Sequence, residues 1–197
     1  MSEPVRLWCL RHAESANVVG GVAGIVPLAP LTRHGRAQAV SAGVTLAAEP
    51  ITRVYVSSAL RARQTGELLV GNTEVVAMPL LAEVGIGSAE GSTDPAIRRL
   101  TADVLHAWVV DGDLDQRVVD GETGHAVVAR MTKALDELAA AHPGGTVAVV
   151  GHVASLTVAL AVLCGLGSQV WGRPLPHAEP FLVTGQDGVW HCPTWRC

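Results

Sequence analysis

The chain has 197 residues, 49% of them hydrophobic, and a net charge of -4. That is long and apolar enough for a substantial core and excludes a disordered chain. The acidic balance and the lack of any Lys/Arg run argue against nucleic acid or a membrane surface as partner. Lys133 is the only lysine, so the positive charge is nearly all arginine. Arginine suits planar oxyanion recognition, although codon usage is the plainer explanation.

Strand and helix patterns alternate along the chain. Residues 5–10 form an apolar run that reads as a strand, so Arg11 and His12 fall where it ends. A Gly/Val-rich loop follows, and Thr32 is placed to cap a helix running to about Glu49. Residues 53–57 read as a strand, 60–70 as a helix and 74–78 as a short strand, with a small-residue loop over 83–92. Asp94-Pro95 marks the start of a helix to about Val110. The next helix is expected over 121–141, stopped by His142-Pro143-Gly144-Gly145. Residues 146–150 are wholly apolar, as in a strand buried on both faces, and a helix starts near His152. Two weaker strands are expected over 181–184 and 189–192. With no repeat or linker dividing it, the chain over 1–197 reads as one α/β domain with a mostly parallel sheet.

Several features bear on compartment and cofactors. The longest apolar stretch, 153–167, is short of the roughly 20 residues a membrane span needs. The first residues lack the basic-then-apolar pattern of a signal peptide. Cys9, Cys164, Cys192 and Cys197 have no paired spacing. Reduced thiols in a cytoplasmic protein are therefore expected. Cys192 and Cys197 with His177 and His191 fit no zinc spacing, so no metal is expected.

Four segments carry the chemistry. Arg11-His12 follows the first strand, Arg61 the second, Glu83 the third, and Gly151-His152 the apolar strand. Strand carboxyl ends are where open α/β sheets bind ligands. Two arginines and two histidines there form an anion-seeking pocket, and an arginine fork can clamp two phosphoryl oxygens. The helix starting near His152 offers backbone N–H groups and a positive dipole end to the same anion. A histidine nucleophile splits one displacement into two easier ones, and a carboxylic acid can protonate the leaving oxygen. Arg53 and Arg63 compete with Arg61 for the pocket, and Glu90 competes with Glu83; Arg61 and Glu83 are favoured. The remaining histidines, His34, His106, His125, His142, His177 and His191, are read as surface or structural. Trp108, Trp171 and Trp190 are read as core or rim, with Trp108 able to line a pocket mouth.

Six motifs in order carry a resemblance. They are Arg11-His12-Ala13-Glu14-Ser15, the run from Leu31 to Ala39, the segment Ser57 to Thr65, the loop Glu83 to Gly91, Asp120-Gly121-Glu122-Thr123, and Gly151-His152. The chain resembles the histidine phosphatase superfamily, the phosphoglycerate-mutase-like proteins, from residue 5 to about 165. The resemblance implies a three-layer α/β/α sandwich with a mostly parallel sheet. It implies His12 as the nucleophile that becomes phosphohistidine. Arg11, Arg61 and His152 would bind phosphoryl oxygens, with Asn17 and Val153 as further substrate contacts, and Glu83 would be the proton donor. It implies no cofactor and no metal.

The sequence departs from the family pattern at four positions. Ala13 stands where glycine is usual, which is costly if that position needs positive φ. Asn17 falls one position early, Leu28 replaces a frequent aspartate, and Gly151 replaces a serine or threonine. The expected activity is hydrolysis of a small phosphomonoester. The alternatives are a phosphoglycerate-mutase-type phosphotransferase and a degenerate module that binds a phospho-ligand without turnover. Asp120 follows Glu83 by only 37 positions, and the tail after His152 is short, which favours an open pocket and hydrolysis. Substrate identity and oligomeric state are not readable from the residues.

Overall fold

A computed structural model describes residues 3–71, 73–193 and 195. The most buried strand is β4, Thr146–Gly151, in which all six residues are buried. It pairs in parallel with β1 (Val5–Arg11) on one side and with β2 (Val54–Val56) on the other. β3 (Val75–Ala77) adds in parallel to β2. β5 (Phe181–Gln186) and β6 (Val189–His191) complete the sheet as an antiparallel pair, giving the order β3-β2-β4-β1-β5-β6. Both edge strands, β3 and β6, are three residues long.

Side chains alternate across a strand, so β4 feeds two cores. Val147 and Val149 join the core cluster that includes Leu135 and Leu138 of α5 (Gly124–Ala141) and Leu156 and Leu160 of α6 (Val153–Leu163). Ala148 and Val150 join Leu10, Val54 and Val56 beneath α2 (Arg33–Leu46) and α3 (Leu60–Leu69). The fold is therefore a mostly parallel sheet between two helical layers, as expected. A short helix, α1 (Ala16–Val19), and α4 (Pro95–His106) lie in the connections after β1 and β3. No helix among the described residues is long and apolar enough to cross a membrane.

The structure shifts several predicted boundaries. α5 begins at Gly124, not at 121, because Thr123 is its cap and accepts from the Ala126 N–H at 3.3 Å. The residues before it are taken by the loop after β3: Asp120 accepts from the Ser88 N–H and Glu122 from the Gly85 N–H. The helix expected to reach 110 ends at His106 and continues as a wider turn over Ala107–Asp111, closed by Gly112 at φ 73°. The last strand ends at His191, and β5 runs on to Gln186. The α1 turn was not legible, being one turn without a periodic face. The loop over 83–92 contains a 3₁₀ turn at Gly87–Ala89. Cys9 and Cys192 are buried and Cys164 is half-buried, and burial pushes the Cys164 thiol up to about 11. Cys197 lies outside the described residues.

Thr32 caps α2 as its sequence position suggested, accepting from the Gly35 N–H at 2.9 Å. Its hydroxyl also donates to the Glu14 carboxylate at 2.6 Å, tying α2 to the loop after β1. Gly35 faces that loop so closely that an added Cβ would strike the Glu14 carbonyl oxygen. Backbone cannot yield as a flexible side chain can. Gly35→Ala is expected to lower stability by about 1–3 kcal/mol, read as a reduced urea midpoint. An unchanged midpoint would show that the approach of helix and loop is not tight.

Candidate active site

The parallel register of β1 and β4 sets the site. Arg11 lies opposite Gly151, and the His12 N–H donates to the Gly151 carbonyl at 2.9 Å. His12 and His152 therefore leave neighbouring strands side by side, with ring centroids 5.1 Å apart. Arg61, in the first turn of α3, reaches both rings. Its Nε–H donates to His12 Nε2 at 3.1 Å, its Nη2 to His152 Nδ1 at 3.2 Å, and its Nη1 to the Val26 carbonyl at 2.8 Å. All three side chains are buried, with exposures of 1% for Arg61, 2% for His12 and 0% for His152.

These bonds fix the tautomers. His12 Nδ1–H donates to the Ala13 carbonyl at 2.8 Å, which leaves a lone pair on Nε2. His152 must accept at Nδ1, so its Nε2–H donates to Ser57 Oγ at 2.7 Å. Burial holds both rings well below the ordinary histidine range; the Arg61 charge adds to this at His12, and His12 and Arg61 add to it at His152. Both imidazoles are neutral near pH 7.

Arg11 leaves the end of β1 and donates from Nη1 to the Leu175 carbonyl at 3.1 Å. Its Nε is buried with no hydrogen-bond partner among the described residues. Burial lowers the pKa of both Arg11 and Arg61, and the Glu83 charge opposes that at each. Neither arginine makes an ion pair within 4.0 Å among the described residues.

Glu83 is anchored rather than free. Its Oε1 accepts from the Val84 and Ser155 N–H groups, each at 3.0 Å, and its Oε2 from Ala154 N–H at 3.4 Å. The start of α6, read from sequence as an anion cradle for phosphate, thus holds this carboxylate instead. Glu90 serves the backbone, accepting from Ile25 N–H at 2.7 Å and Ile86 N–H at 2.8 Å. Arg53 pairs with Glu74 at 2.7 Å, away from the site, and Arg63 is exposed. Behind Glu83, Arg130 forks onto Glu122 at 2.8 and 3.0 Å and donates to the carbonyls of Leu80, Ala82 and Glu83. That brace was not read from the sequence. The only signal was the spacing of Glu122 and Arg130 across the start of α5.

A cavity of about 210 Å³ gathers Arg11, His12, Asn17, Arg61, Glu83 and Val153 on its wall. Asn17 is buried despite its shifted position, and its Oδ1 accepts from the Ser15 hydroxyl at 2.7 Å. His152 is not on that wall; it sits behind Arg61. Trp108 is not there either: it is buried, and its indole N–H donates to the Gln116 carbonyl at 2.9 Å. His177 does belong to the site's frame. Its Nδ1–H donates to the His12 carbonyl at 2.9 Å, and its ring centroid is 5.6 Å from that of His12. Its segment is irregular loop, so no periodic signal placed it there. No group of three or more His, Cys, Asp or Glu among the described residues is arranged to hold a metal ion.

The sequence profile of the histidine phosphatase superfamily (branch 1) matches residues 7–197. The chain belongs to the histidine phosphatase superfamily. An adenosylcobalamin/alpha-ribazole phosphatase of Salmonella typhimurium is 30% identical over 189 residues, covering 94% of this chain and 88% of its own. A probable phosphoglycerate mutase GpmB of Erwinia tasmaniensis is 27% identical, covering 97% and 90%. Among solved structures, Bacillus stearothermophilus YhfR superposes with a TM-score of 0.81 at 25% identity, covering 96% and 95%. A mycobacterial glucosyl-3-phosphoglycerate phosphatase superposes with a TM-score of 0.80 at 26% identity, covering 98% of each chain.

The departures from the superfamily pattern are accommodated locally. Ala13 is not among the residues with positive φ, and its N–H donates to Thr65 Oγ1 at 3.0 Å, so a Cβ carries no backbone penalty there. Gly151 leaves room for Leu156, whose Cδ1 would lie 3.1 Å from an added Cβ. Leu28 is exposed.

The depressed histidines make stability depend on pH. Below the unfolded-state value of about 6.5, the unfolded chain binds protons that the folded rings refuse, so stability falls as pH falls. Above that value the contribution is complete. The melting temperature is expected to decline from pH 7 to pH 5, less steeply in His12→Asn. An identical slope in the variant would show that His12 titrates normally in the folded protein.

Proposed function

We propose that this protein is a phosphatase acting on a small phosphomonoester through a phosphohistidine on His12. The observation that carries the reading is a pair of arginines, Arg61 buried and Arg11 half-buried, neither ion-paired among the described residues, beside a neutral histidine whose Nε2 holds a lone pair. Arg11 and Arg61 supply the positive charge that a phosphoryl group's oxygens require.

In the first step His12 Nε2 attacks phosphorus and the ester P–O bond breaks. Glu83, which enters this step as the protonated acid and leaves it as the carboxylate, gives its proton to the leaving oxygen. For this the Arg61 Nε–H must shift from His12 to a phosphoryl oxygen, which frees the lone pair. In the second step Glu83 accepts a proton from water, the water oxygen bonds to phosphorus, and the P–N bond breaks to release phosphate. His152 acts from behind, fixing Arg61 through Nδ1. The reading places the enzyme in the cytoplasm, in keeping with the free thiols of Cys9 and Cys164.

The phosphatase names of several relatives support hydrolysis, and the probable mutase relatives support the second reading, transfer back to a phosphoglycerate. The short span between Glu83 and Asp120 favours hydrolysis. Phosphate release from an aryl phosphate decides whether turnover occurs. His12→Ala is expected to abolish release and the acid-labile phosphoenzyme seen after rapid quenching. Glu83→Gln is expected to slow kcat by about 10²–10⁴ for esters with poor leaving groups. Turnover that survives His12→Ala would overturn the mechanism. Phosphoglycerate isomerisation faster than phosphate release would overturn hydrolysis.

A further inference from the structure

The loop after β1 holds one residue in a backbone conformation that its sequence disfavours. Val26 is branched at Cβ and precedes Pro27, and each of these facts favours extended backbone. Yet Val26 stands at φ 37°, in the left-handed region. The other described non-glycine residues with positive φ are Val119, Ala178 and Asp187, and none of them precedes a proline. A conformation this costly persists only where the surroundings over-determine it, and such places cluster at functional sites.

Glu90 supplies the first restraint. Its Oε2 accepts from the N–H of Ile25, the residue before Val26, at 2.7 Å. Its Oε1 accepts from the Ile86 N–H at 2.8 Å, which ties the carboxylate to the loop that carries Glu83. Gly24, at φ 91°, leaves the space this carboxylate fills, since an added Cβ would strike Oε2. Further back, Ala23 pairs with the Ser92 carbonyl at 2.8 Å and the Gly91 N–H at 3.0 Å. On the far side the Pro27 carbonyl accepts from the N–H of Leu60, the residue before Arg61, at 2.8 Å. Between these anchors the Val26 carbonyl meets Arg61 Nη1 at 2.8 Å, and the Ala29 N–H at 3.3 Å closes a turn on the same oxygen. In the reaction proposed above, the Arg61 Nε–H leaves His12 for a phosphoryl oxygen. Nη2 on His152 and Nη1 on Val26 are then the two fixed points of the guanidinium. Two points orient a rigid planar fork, whereas one leaves it free to swing.

We propose that Val26 is a positioning residue for Arg61, and that Glu90 is the clamp that holds its carbonyl in place. The clamp rests on the phosphatase reading only in taking Arg61 as a group that meets phosphoryl oxygens. Without Glu90, Val26-Pro27 relaxes toward the extended backbone that its sequence prefers, and the carbonyl leaves Nη1. Arg61 then meets the anion from a looser seat.

Inorganic phosphate, titrated by calorimetry, tests this apart from turnover. Glu90 is near enough for its charge to act on Arg61, so charge alone predicts that Glu90→Gln tightens phosphate binding. The clamp predicts the reverse, binding about tenfold weaker, because glutamine offers one carbonyl oxygen to two backbone N–H groups. Val26→Gly removes the drive to relax, since glycine takes left-handed backbone freely. The double variant Glu90→Gln, Val26→Gly is therefore expected to bind phosphate within about threefold of the wild type. Binding in Glu90→Gln as tight as in the wild type would overturn the clamp. So would a loss that Val26→Gly leaves unrepaired, which would place the effect at Ile86 instead. If Glu90→Gln does not fold, Glu90→Asp, whose carboxylate is one carbon shorter, takes its place with the same weakening and the same repair expected. The clamp's pattern of phosphate binding without hydrolysis of any ester would keep the clamp and overturn the phosphatase. A wild type that takes up no phosphate would overturn both.

Discussion

The Arg61 guanidinium, buried between two neutral histidines, is the interaction on which the rest of the site depends. Taking such a charge out of water costs several kcal/mol unless hydrogen bonds replace its hydration. Here the replacements are His12 Nε2, His152 Nδ1 and the Val26 carbonyl, all uncharged acceptors. A protonated ring could not accept, and it would place a second positive charge beside the first. The arginine therefore requires the neutral histidines, His12 among them. No carboxylate among the described residues pairs with this cation within 4.0 Å, which leaves room for an incoming anion to balance its charge.

Around that centre, hydrogen bonds from separate parts of the chain hold backbone rather than substrate. His177 secures the His12 carbonyl, Thr65 accepts from the Ala13 N–H, and Gln38 accepts from the Glu14 N–H at 2.9 Å. On the opposite wall Arg130 and Glu122 fix the loop that carries Glu83, while the first amides of α6 hold its carboxylate. His12 and Glu83 are thus positioned by independent supports, one from α2, α3 and the segment before β5, the other from α5 and α6. Such support suits the proposed two-step transfer, in which both groups would act twice on the same phosphorus.

Much of this was legible in the sequence, for physical reasons. The apolar run of β4 and the residues that end β1 and β4 marked where the sheet's carboxyl edge would be. Arg11, His12, Arg61, Glu83 and His152 stand at that edge because strands end there. Both Glu83 and Glu90 accept from backbone amides, and of the two only Glu83 is on the cavity wall. His177 was not legible, since it comes from an irregular segment whose only regular feature is its later crossing of β1. The Arg130 brace was hidden because an arginine on a helix reads as solvated until a folded loop lies over it. The N-terminus of α6 was read as open to phosphate; the sequence could not show that a carboxylate from a distant loop would occupy it.

The brevity of β3 and β6 has a consequence for how this chain meets copies of itself. A sheet edge is a template for strand addition in proportion to the row of unpaired amides and carbonyls it offers. Three residues at each edge offer a very short row, and the longer strands β1, β4 and β5 are all paired on both sides. A partially opened molecule would have to lose β6 or β3 before exposing a long ladder to another chain. Resistance to cross-molecular β-pairing is thus set at the two ends of the sheet, away from the central strands β1 and β4 that lead into His12 and His152.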